Sequence, residues 1–330
     1  MRKAAVNRLK AGMVVSRTLF GREGQVLLKA GTKIKEKYIK SLKRLGITGI
    51  YVQDERLEGI ETAEVVQDST RQEARLLVKE LINEMGRNKK GKFHCQQEKK
   101  ITRVVNQIVE ELLANKDIVV NMDDIRTIDS YTFSHSVNVC ILATLAAVKR
   151  DFNAEALQEI AVGSLLHDLG KVKIPDIILK KKGPLTEAEY AVIKSHPVYG
   201  RALLSESALC AETVLNVVYQ HHERLGGQGY PQGLSGAEIS VPAQITAVAD
   251  VYDALVSERY YRKAYLPHQV IEMFTSWAET YFDVEVLRTF FSFLTAYPVG
   301  THVKLSNGKS GLVIKNKPGF PLHPVVRVLY

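Results

Sequence analysis

The sequence has no apolar run long enough to cross a bilayer. Its longest run, Val137–Val148, is shorter than the roughly 20 residues that a spanning helix needs, and it carries the polar residues Asn138 and Thr144. The N-terminus, Met-Arg-Lys-Ala-Ala-Val-Asn-Arg, lacks the apolar core of a signal peptide. We therefore expect a cytoplasmic protein without a membrane span.

Cysteine is also scarce. Cys95, Cys140 and Cys210 lie far apart and are odd in number, which argues against a disulfide framework. Cys95 follows His94 within a lysine-rich stretch, and no second pair of this kind accompanies them. We expect this pair to be solvated rather than to bind zinc.

Acidic residues are rare near the N-terminus. The net charge is +9, and before Gly49 only Glu23 and Glu36 oppose many lysines and arginines. Such a basic arm could contact nucleic acid or an anionic membrane surface. However, aromatic residues do not interleave with the basic ones, as they do in many nucleic-acid-binding surfaces. We interpret the arm as a solvated face and expect no nucleic-acid partner.

The first part of the chain has the pattern of a small α+β domain. Met13–Phe20 and Gln25–Leu28 are predicted to form a hairpin across the turn at Gly21–Gly24. Glu36–Leu45 has a helical apolar face, and Gly49–Val52 is predicted to be one more strand.

Two helical patterns, Glu61–Met85 and Ile101–Leu113, follow around a polar connection, Gly86–Lys100. Near the C-terminus, His302–Leu305 and Gly311–Ile314 predict a hairpin. The last predicted strand, Pro324–Tyr330, stops without a turn or polar tail, which is compatible with a β segment that continues beyond this chain.

The length and a hydrophobic content of 45% support two or three domains. We predict a mainly α protein: an all-α core with a small N-terminal α+β domain and a short C-terminal β appendage. The predicted parts are an accessory α+β domain at 1–54, connecting helices with a polar linker at 55–116, a catalytic helical domain at 117–295 and a β segment at 296–330.

Histidines and aspartates follow or interrupt several apolar helices. His167 and Asp168 stand side by side directly after Ile160–Leu166, where a buried imidazole and carboxylate would be costly without a partner. The further residues of this kind are His135, His196, His221, His222 and Asp250. Each of these residues, taken alone, would more often have a structural role than a functional one. Together, nitrogen ligands mixed with carboxylates and no partner cysteine indicate a site for two catalytic divalent metals.

The chain resembles the HD-GYP family. The matching blocks are His167-Asp-Leu-Gly-Lys171, His221-His-Glu-Arg224 with Gly229-Tyr-Pro231, and Ala249-Asp-Val-Tyr-Asp-Ala254, and they occur in the family's order. The resemblance covers about Asn121 to Thr295 and identifies 117–295 as an HD-type catalytic domain. It implies a metal-dependent phosphodiesterase that hydrolyses cyclic di-GMP to pGpG, or onward to GMP, with water activated between two metals, iron or manganese.

The resemblance also assigns roles to single residues. Asp168 would bridge the metals, with His135, His167 and Asp250 on one ion and His196, His221 and His222 on the other. Lys171 would aim its ammonium at the phosphate or the leaving oxygen. The expected substrate contacts are Arg259, Arg262, Lys263 and Tyr230, for which a solvated face or, for Tyr230, a loop-anchoring role stays open. Glu223 and Asp253 would orient histidines or basic groups.

The chain departs from the family at three positions. Gly226 stands where the signature loop usually has Asp, Tyr260 where Pro is usual, and Tyr131 where some members carry a Glu that holds a third ion. We therefore expect two metals per chain. Two alternatives remain: an HD phosphohydrolase for another cyclic dinucleotide, or a weakly active signalling module that binds cyclic di-GMP. A homodimer and a regulatory protein bound to the N-terminal domain are left open as partners.

Overall fold

The computed structural model describes residues 1–21, 24–47, 49–54, 65–87, 93–116, 131–257 and 264–329. These residues divide into two compact units. One unit contains the described residues of Met1–Glu64 and of Phe291–Tyr330, and the other contains those of Val65–Asp117 and Tyr131–Phe290. The domain boundaries expected from the sequence stay a prediction.

The N-terminal part is a small α+β arrangement, as predicted. Strand β1 (Arg2–Ala5) pairs antiparallel with β4 (Gly49–Val52), and β2 (Leu19–Phe20) pairs antiparallel with β3 (Val26–Leu28). Helix α1 (Glu36–Arg44) lies between β3 and β4 in the sequence and buries Ile39 and Leu42.

Two details of this part differ from the prediction. Strand β1 was not predicted, because pairing with β4 rather than an alternating apolar pattern defines it. The long strand predicted at Met13–Phe20 is reduced to β2, preceded by isolated bridges at Val14 and Val15. The reason is that Val14 and Val15 pair with different segments, at Lys33 and Val52, so that no continuous ladder forms.

The C-terminal part forms the predicted β segment. Strands β5 (His302–Lys304), β6 (Ser310–Lys315) and β7 (Val325–Leu329) make an antiparallel sheet in that order. Leu312 and Val313 on the central strand are buried.

The larger unit is helical. Its elements are α2 (Asp68–Arg87), α3 (Cys95–Ala114), α4 (Tyr131–Lys149), α5 (Ala154–Leu166), a 3₁₀ segment (Leu169–Lys173), α6 (Asp176–Leu179), α7 (Glu187–Ile193), α8 (His196–Leu204), α9 (Glu212–Gln220), a second 3₁₀ segment (Gly236–Glu238), α10 (Val241–Val256), α11 (Pro267–Trp277) and α12 (Val284–Phe293), whose last three residues belong to the other unit. The polar connection predicted at Gly86–Lys100 is shorter than expected, because α3 begins at Cys95. The Gln97 side chain accepts the His94 backbone N–H and so stabilises that helix start.

Helix α4 forms the centre of this unit. It is buried on all sides from Ser134 to Val148, and it packs against α5, α10 and α2. Helix α9 packs against α5, α8 and α10, and α8 packs against the segment Leu169–Lys173. A helix that is apolar all round can be stable only inside such a bundle. The mainly α fold with small strand elements is therefore confirmed.

Across the described part of the chain, every helix is too short or too polar to traverse a lipid bilayer.

Candidate metal centre

Three of the predicted histidines lie where one helix has just ended. His167 follows the last residue of α5, His221 follows the last residue of α9, and His196 begins α8 shortly after α7 ends. In each ring, Nδ1 lies close to a backbone carbonyl oxygen three residues earlier: Ser164 at 2.8 Å, Val218 at 2.9 Å and Ile193 at 2.8 Å, respectively. Carbonyls in the last turn of a helix lack an intrahelical donor, so the ring N–H satisfies them.

This arrangement fixes the tautomer of the three rings. A carbonyl oxygen only accepts, so Nδ1 carries the proton and Nε2 keeps its lone pair. Burial lowers the pKa of His167 and of His221, and that of His196 to about 4. The rings are therefore neutral, which is the state that ligates metals.

Two of these lone pairs face each other. Nε2 of His196 lies 3.3 Å from Nε2 of His221, and neither atom carries a proton to share. Nε2 of His167 is fully buried and has no hydrogen-bond partner among the described residues. A cation is the group that relieves such an arrangement, because it accepts electron pairs from all of these atoms.

Asp168 lies between two groups of histidines. Its Oδ2 is 3.5 Å from Nε2 of His167, and its Oδ1 is 3.4 Å from Nε2 of His196. Oδ1 is buried without a hydrogen-bond partner in the part of the chain that the structure describes. Burial raises the pKa of Asp168, but the ammonium of Lys171 together with the surrounding histidines holds it well below the ordinary value. The carboxylate is therefore ionised and turns one oxygen towards each group.

His135 is held by two carboxylates. Its Nδ1 is 2.7 Å from Oδ2 of Asp253, and its Nε2 is 3.1 Å from Oδ1 of Asp250. Burial lowers the pKa of His135, but the hydrogen bonds and negative charges of Asp250 and Asp253 together raise it to about 10. The Asn138 amide donates to Oδ1 of Asp253 at 2.8 Å. No pattern in the sequence marks Asn138 as a site residue, although its spacing of three residues from His135 places both on one face of α4.

Asp250 interrupts an apolar helix rather than following its end. Helix α10 continues to Val256, and Asp250 lies within it because the apolar pattern resumes after Asp253. Oδ2 of Asp250 is 3.8 Å from Nδ1 of His222, so this carboxylate also lies near both groups of histidines.

The seven predicted ligands form two clusters of potential metal-binding atoms. In each, the atoms lie within 4.8 Å of one another. One cluster contains His135, His167 and Asp250, and the other contains Asp168, His196, His221 and His222. Imidazole and carboxylate donors suit first-row divalent ions. The residues therefore fit the metals that the sequence predicted.

Lys171 lies at the edge of the clusters. Its ammonium donates to Oδ2 of Asp168 at 2.6 Å. The two residues are three apart and flank the start of the 3₁₀ segment, whose geometry aligns side chains at that spacing. The structure thus pairs Lys171 with the carboxylate rather than directing it to open solvent.

Glu223 contacts the glycine-rich loop, Leu225–Gly233, and Leu234 after it. The expectation that Glu223 orients histidines or basic groups stays a prediction. Oε1 of Glu223 accepts the backbone N–H of Gln232 at 2.7 Å, and its Oε2 accepts that of Leu234 at 3.0 Å. The reason is that the loop folds back over the end of α9 and presents backbone donors to the buried carboxylate, which would otherwise be unsatisfied.

Tyr230 lies against the second cluster. Its ring stacks on His222 with centroids 4.6 Å apart, and its backbone N–H donates to the His222 carbonyl at 3.2 Å. These contacts favour the loop-anchoring alternative. Gly226 donates its N–H to the Thr280 carbonyl, and the atoms nearest to a Cβ built there belong to the flexible Gln228 side chain. The loop backbone at Gly226 is therefore hydrogen-bonded even without the Asp that is usual at this position in the family.

Some predicted positions lie outside the described residues. These are Arg259, Tyr260, Arg262 and Lys263, and the side chain of Tyr131 is likewise not described. Their predicted roles stay predictions.

Comparison with known proteins identifies the class. Residues 107–286 match the HD domain family, and the chain therefore belongs to that family. HD domains bind divalent metals, and the two clusters are groups that could hold them. The resemblance to HD-GYP proteins is thereby confirmed.

Several relatives have names that state an activity. Cyclic di-GMP phosphodiesterase PA4108 of Pseudomonas aeruginosa is 35% identical over 69% of this chain and 55% of its own length. The 3′3′-cGAMP-specific phosphodiesterase 1 of Vibrio cholerae is 36% identical over 50% of this chain and 38% of its own length. The chain spans about half or less of these curated relatives.

A solved structure supports the fold alone. Bd1817, an HDG"Y"P protein from Bdellovibrio bacteriovorus, superposes with a TM-score of 0.56 at 15% identity, over 87% of this chain and 97% of that one.

Proposed function

We propose that the chain is a metal-dependent phosphodiesterase that hydrolyses cyclic di-GMP to the linear dinucleotide pGpG. One observation carries the proposal: Asp168 turns one oxygen towards His167 and the other towards His196, and Nε2 keeps its lone pair in His167, His196 and His221. Paired sites of this kind suit the in-line displacement at a phosphodiester.

The two clusters would each hold one divalent ion, iron or manganese, with Asp168 shared. When bound, such ions supply Lewis acidity that neutralises phosphoryl charge and makes water acidic near neutral pH. The chain itself holds the ligands in place: backbone carbonyls orient His167, His196 and His221, and Asp253 orients His135.

Lys171 would provide a fixed positive charge beside the reacting phosphate. Its ammonium lies against Asp168, and beside a phosphate held at the clusters it would stabilise the negative charge that develops on the leaving oxygen. Tyr230 and the loop that Glu223 anchors would cover His222 and limit access of solvent on that side.

A second substrate class is supported by a specific observation. Relatives with similar identity are named as cyclic di-GMP phosphodiesterases and as 3′3′-cGAMP phosphodiesterases. Both dinucleotides have a cyclic phosphodiester backbone, and the residues at the two clusters do not distinguish their bases.

Turnover on matched substrates tests the proposal. The full chain, purified without oxygen and supplied with Mn²⁺ or Fe²⁺, is assayed with cyclic di-GMP and with 3′3′-cGAMP, and the products are identified by mass spectrometry. We expect hydrolysis of cyclic di-GMP to pGpG that a chelator abolishes. Exclusive hydrolysis of 3′3′-cGAMP would support the second class, and binding of cyclic di-GMP without turnover would contradict an enzymatic function.

A further inference from the structure

Lys194 has an unusual position beside the second cluster. It directly follows α7, and its backbone N–H donates to the Tyr190 carbonyl at 2.9 Å. The side chains of Tyr190 and Lys194 are four residues apart and therefore lie on the same face. Two residues later, His196 is fixed by the carbonyl of Ile193 at the same helix end.

Two aromatic rings hold the Lys194 ammonium. Nζ lies 4.7 Å from the centroid of the Tyr190 ring and 5.5 Å from that of Tyr230. A cation is attracted to the face of an aromatic ring, but the ring does not neutralise its charge. The two rings therefore orient the ammonium without supplying an opposite charge.

Neighbouring lysines are bound differently. Lys171 pairs with Asp168, Lys180 with Asp176 and Lys181 with Glu189, each at 2.6 Å. Within the described ranges, Lys194 has no carboxylate within ion-pair distance. It is thus available to an anion that approaches this side of the centre.

The ammonium lies next to the clusters but outside them. The Tyr230 ring contacts it and also stacks on His222, a member of the second cluster. If one phosphate of a ligand is held between the clusters, Lys194 remains available to contact a second anionic group of the same ligand. A cyclic dinucleotide has two phosphodiesters, of which one reacts while the other remains intact.

We infer that Lys194 binds the second, non-reacting phosphate of a cyclic dinucleotide and so determines specificity for such substrates over simple phosphodiesters. This inference rests on the proposed function. Tyr190 and Tyr230 act as positioning residues that direct the ammonium.

The test compares substrates with one and two phosphates. Lys194→Met should raise KM for cyclic di-GMP about tenfold, the scale of one lost charge-assisted hydrogen bond, with a smaller change in kcat. It should leave KM and kcat for bis(p-nitrophenyl) phosphate unchanged, because that probe has a single phosphate. Lys194→Arg should restore KM for cyclic di-GMP, and metal content should be the same in all variants.

A matched control and a binding measurement complete the design. Lys180→Met removes the same charge from an exposed lysine that is already paired with Asp176, so we expect no change. Equilibrium binding of cyclic di-GMP to the metal-free full chain should weaken in Lys194→Met only.

Three results would overturn the inference. If the wild-type chain hydrolyses cyclic di-GMP and Lys194→Met has an unchanged KM, the inference is overturned while the proposed function stands. Equal losses for both substrates would show that Lys194 acts on the metal centre, which also overturns the inference. A wild-type chain that neither binds nor hydrolyses a cyclic dinucleotide would contradict the proposed function and this inference with it.

Discussion

Gly170 lies directly against His196. A Cβ built on Gly170 would be 1.9 Å from the His196 carbonyl oxygen, a backbone atom that cannot rotate away. The segment Leu169–Lys173 and helix α8 therefore approach as closely as they do only because residue 170 has no side chain. This approach brings Asp168 within reach of the His196 ring.

Substitution of this glycine should separate the two elements. Gly170→Ala should destabilise the protein by about 1–3 kcal/mol, since the backbone must shift to admit the methyl group, and it should lower the metal content. Thermal unfolding and elemental analysis measure both effects. Gly183→Ala is the matched control, because a Cβ there meets no atom within 4 Å. Equal behaviour of the two variants would refute the proposed role of the contact.

Asp253 should matter for metal binding although it is not a proposed ligand. Its Oδ2 is 2.7 Å from Nδ1 of His135. Asp253→Asn would replace one carboxylate oxygen with an amide nitrogen. We expect the metal affinity to fall about 10- to 100-fold, as it does when other residues that orient a ligating histidine are changed. Titration of the metal-free chain with Mn²⁺ measures this. Unchanged affinity would show that α4 alone fixes the ring.

Lys171→Ala should separate chemistry from metal binding. Removal of the ammonium that lies beside Asp168 should lower kcat about 100- to 1,000-fold, on the scale of a lost group that stabilises developing charge. The metal content should not fall, because an ion competes with the ammonium for the same carboxylate. If rate and metal content fall together, Lys171 has a structural role.

Glu223 should stabilise the loop rather than the metals. Glu223→Ala leaves the backbone N–H groups of Gln232 and Leu234 without their protein acceptor, at a cost of about 1 kcal/mol for each lost hydrogen bond. Hydrogen exchange should therefore accelerate across the loop while the metal content is retained. Glu238→Ala removes an exposed acceptor of the Ser235 N–H and serves as the control. Hydrogen exchange in the loop of Glu223→Ala that is as slow as in the wild-type chain would contradict this role of Glu223.

The sequence predicted the helical core and the residues that meet in it, for physical reasons. Long apolar patterns such as Val137–Val148 define buried helices, and a histidine directly after such a helix, as at His167 and His221, indicates where buried polar groups converge. The hairpin predicted from His302–Leu305 and Gly311–Ile314 is present as the pairing of β5 with β6.

Other features depend on tertiary contacts that no local pattern contains. Strand β1 is defined by its partner β4, and the role of Glu223 depends on how the loop returns to α9. The environment of Lys194 likewise depends on Tyr230, which is distant in the sequence. The periodicity of apolar residues indicates which side chains are buried, whereas these contacts depend on which distant segments of the chain meet in the fold.

The central claim is that two divalent ions share Asp168 and carry out the hydrolysis. Elemental analysis of the full chain purified without oxygen, combined with anomalous diffraction from its crystals, tests this claim most directly. We predict two ions per wild-type chain, at the two clusters, and their loss together with activity in Asp168→Ala. A third well-occupied ion beside Tyr131, or an Asp168→Ala variant that keeps both ions and near-normal turnover, would contradict the account.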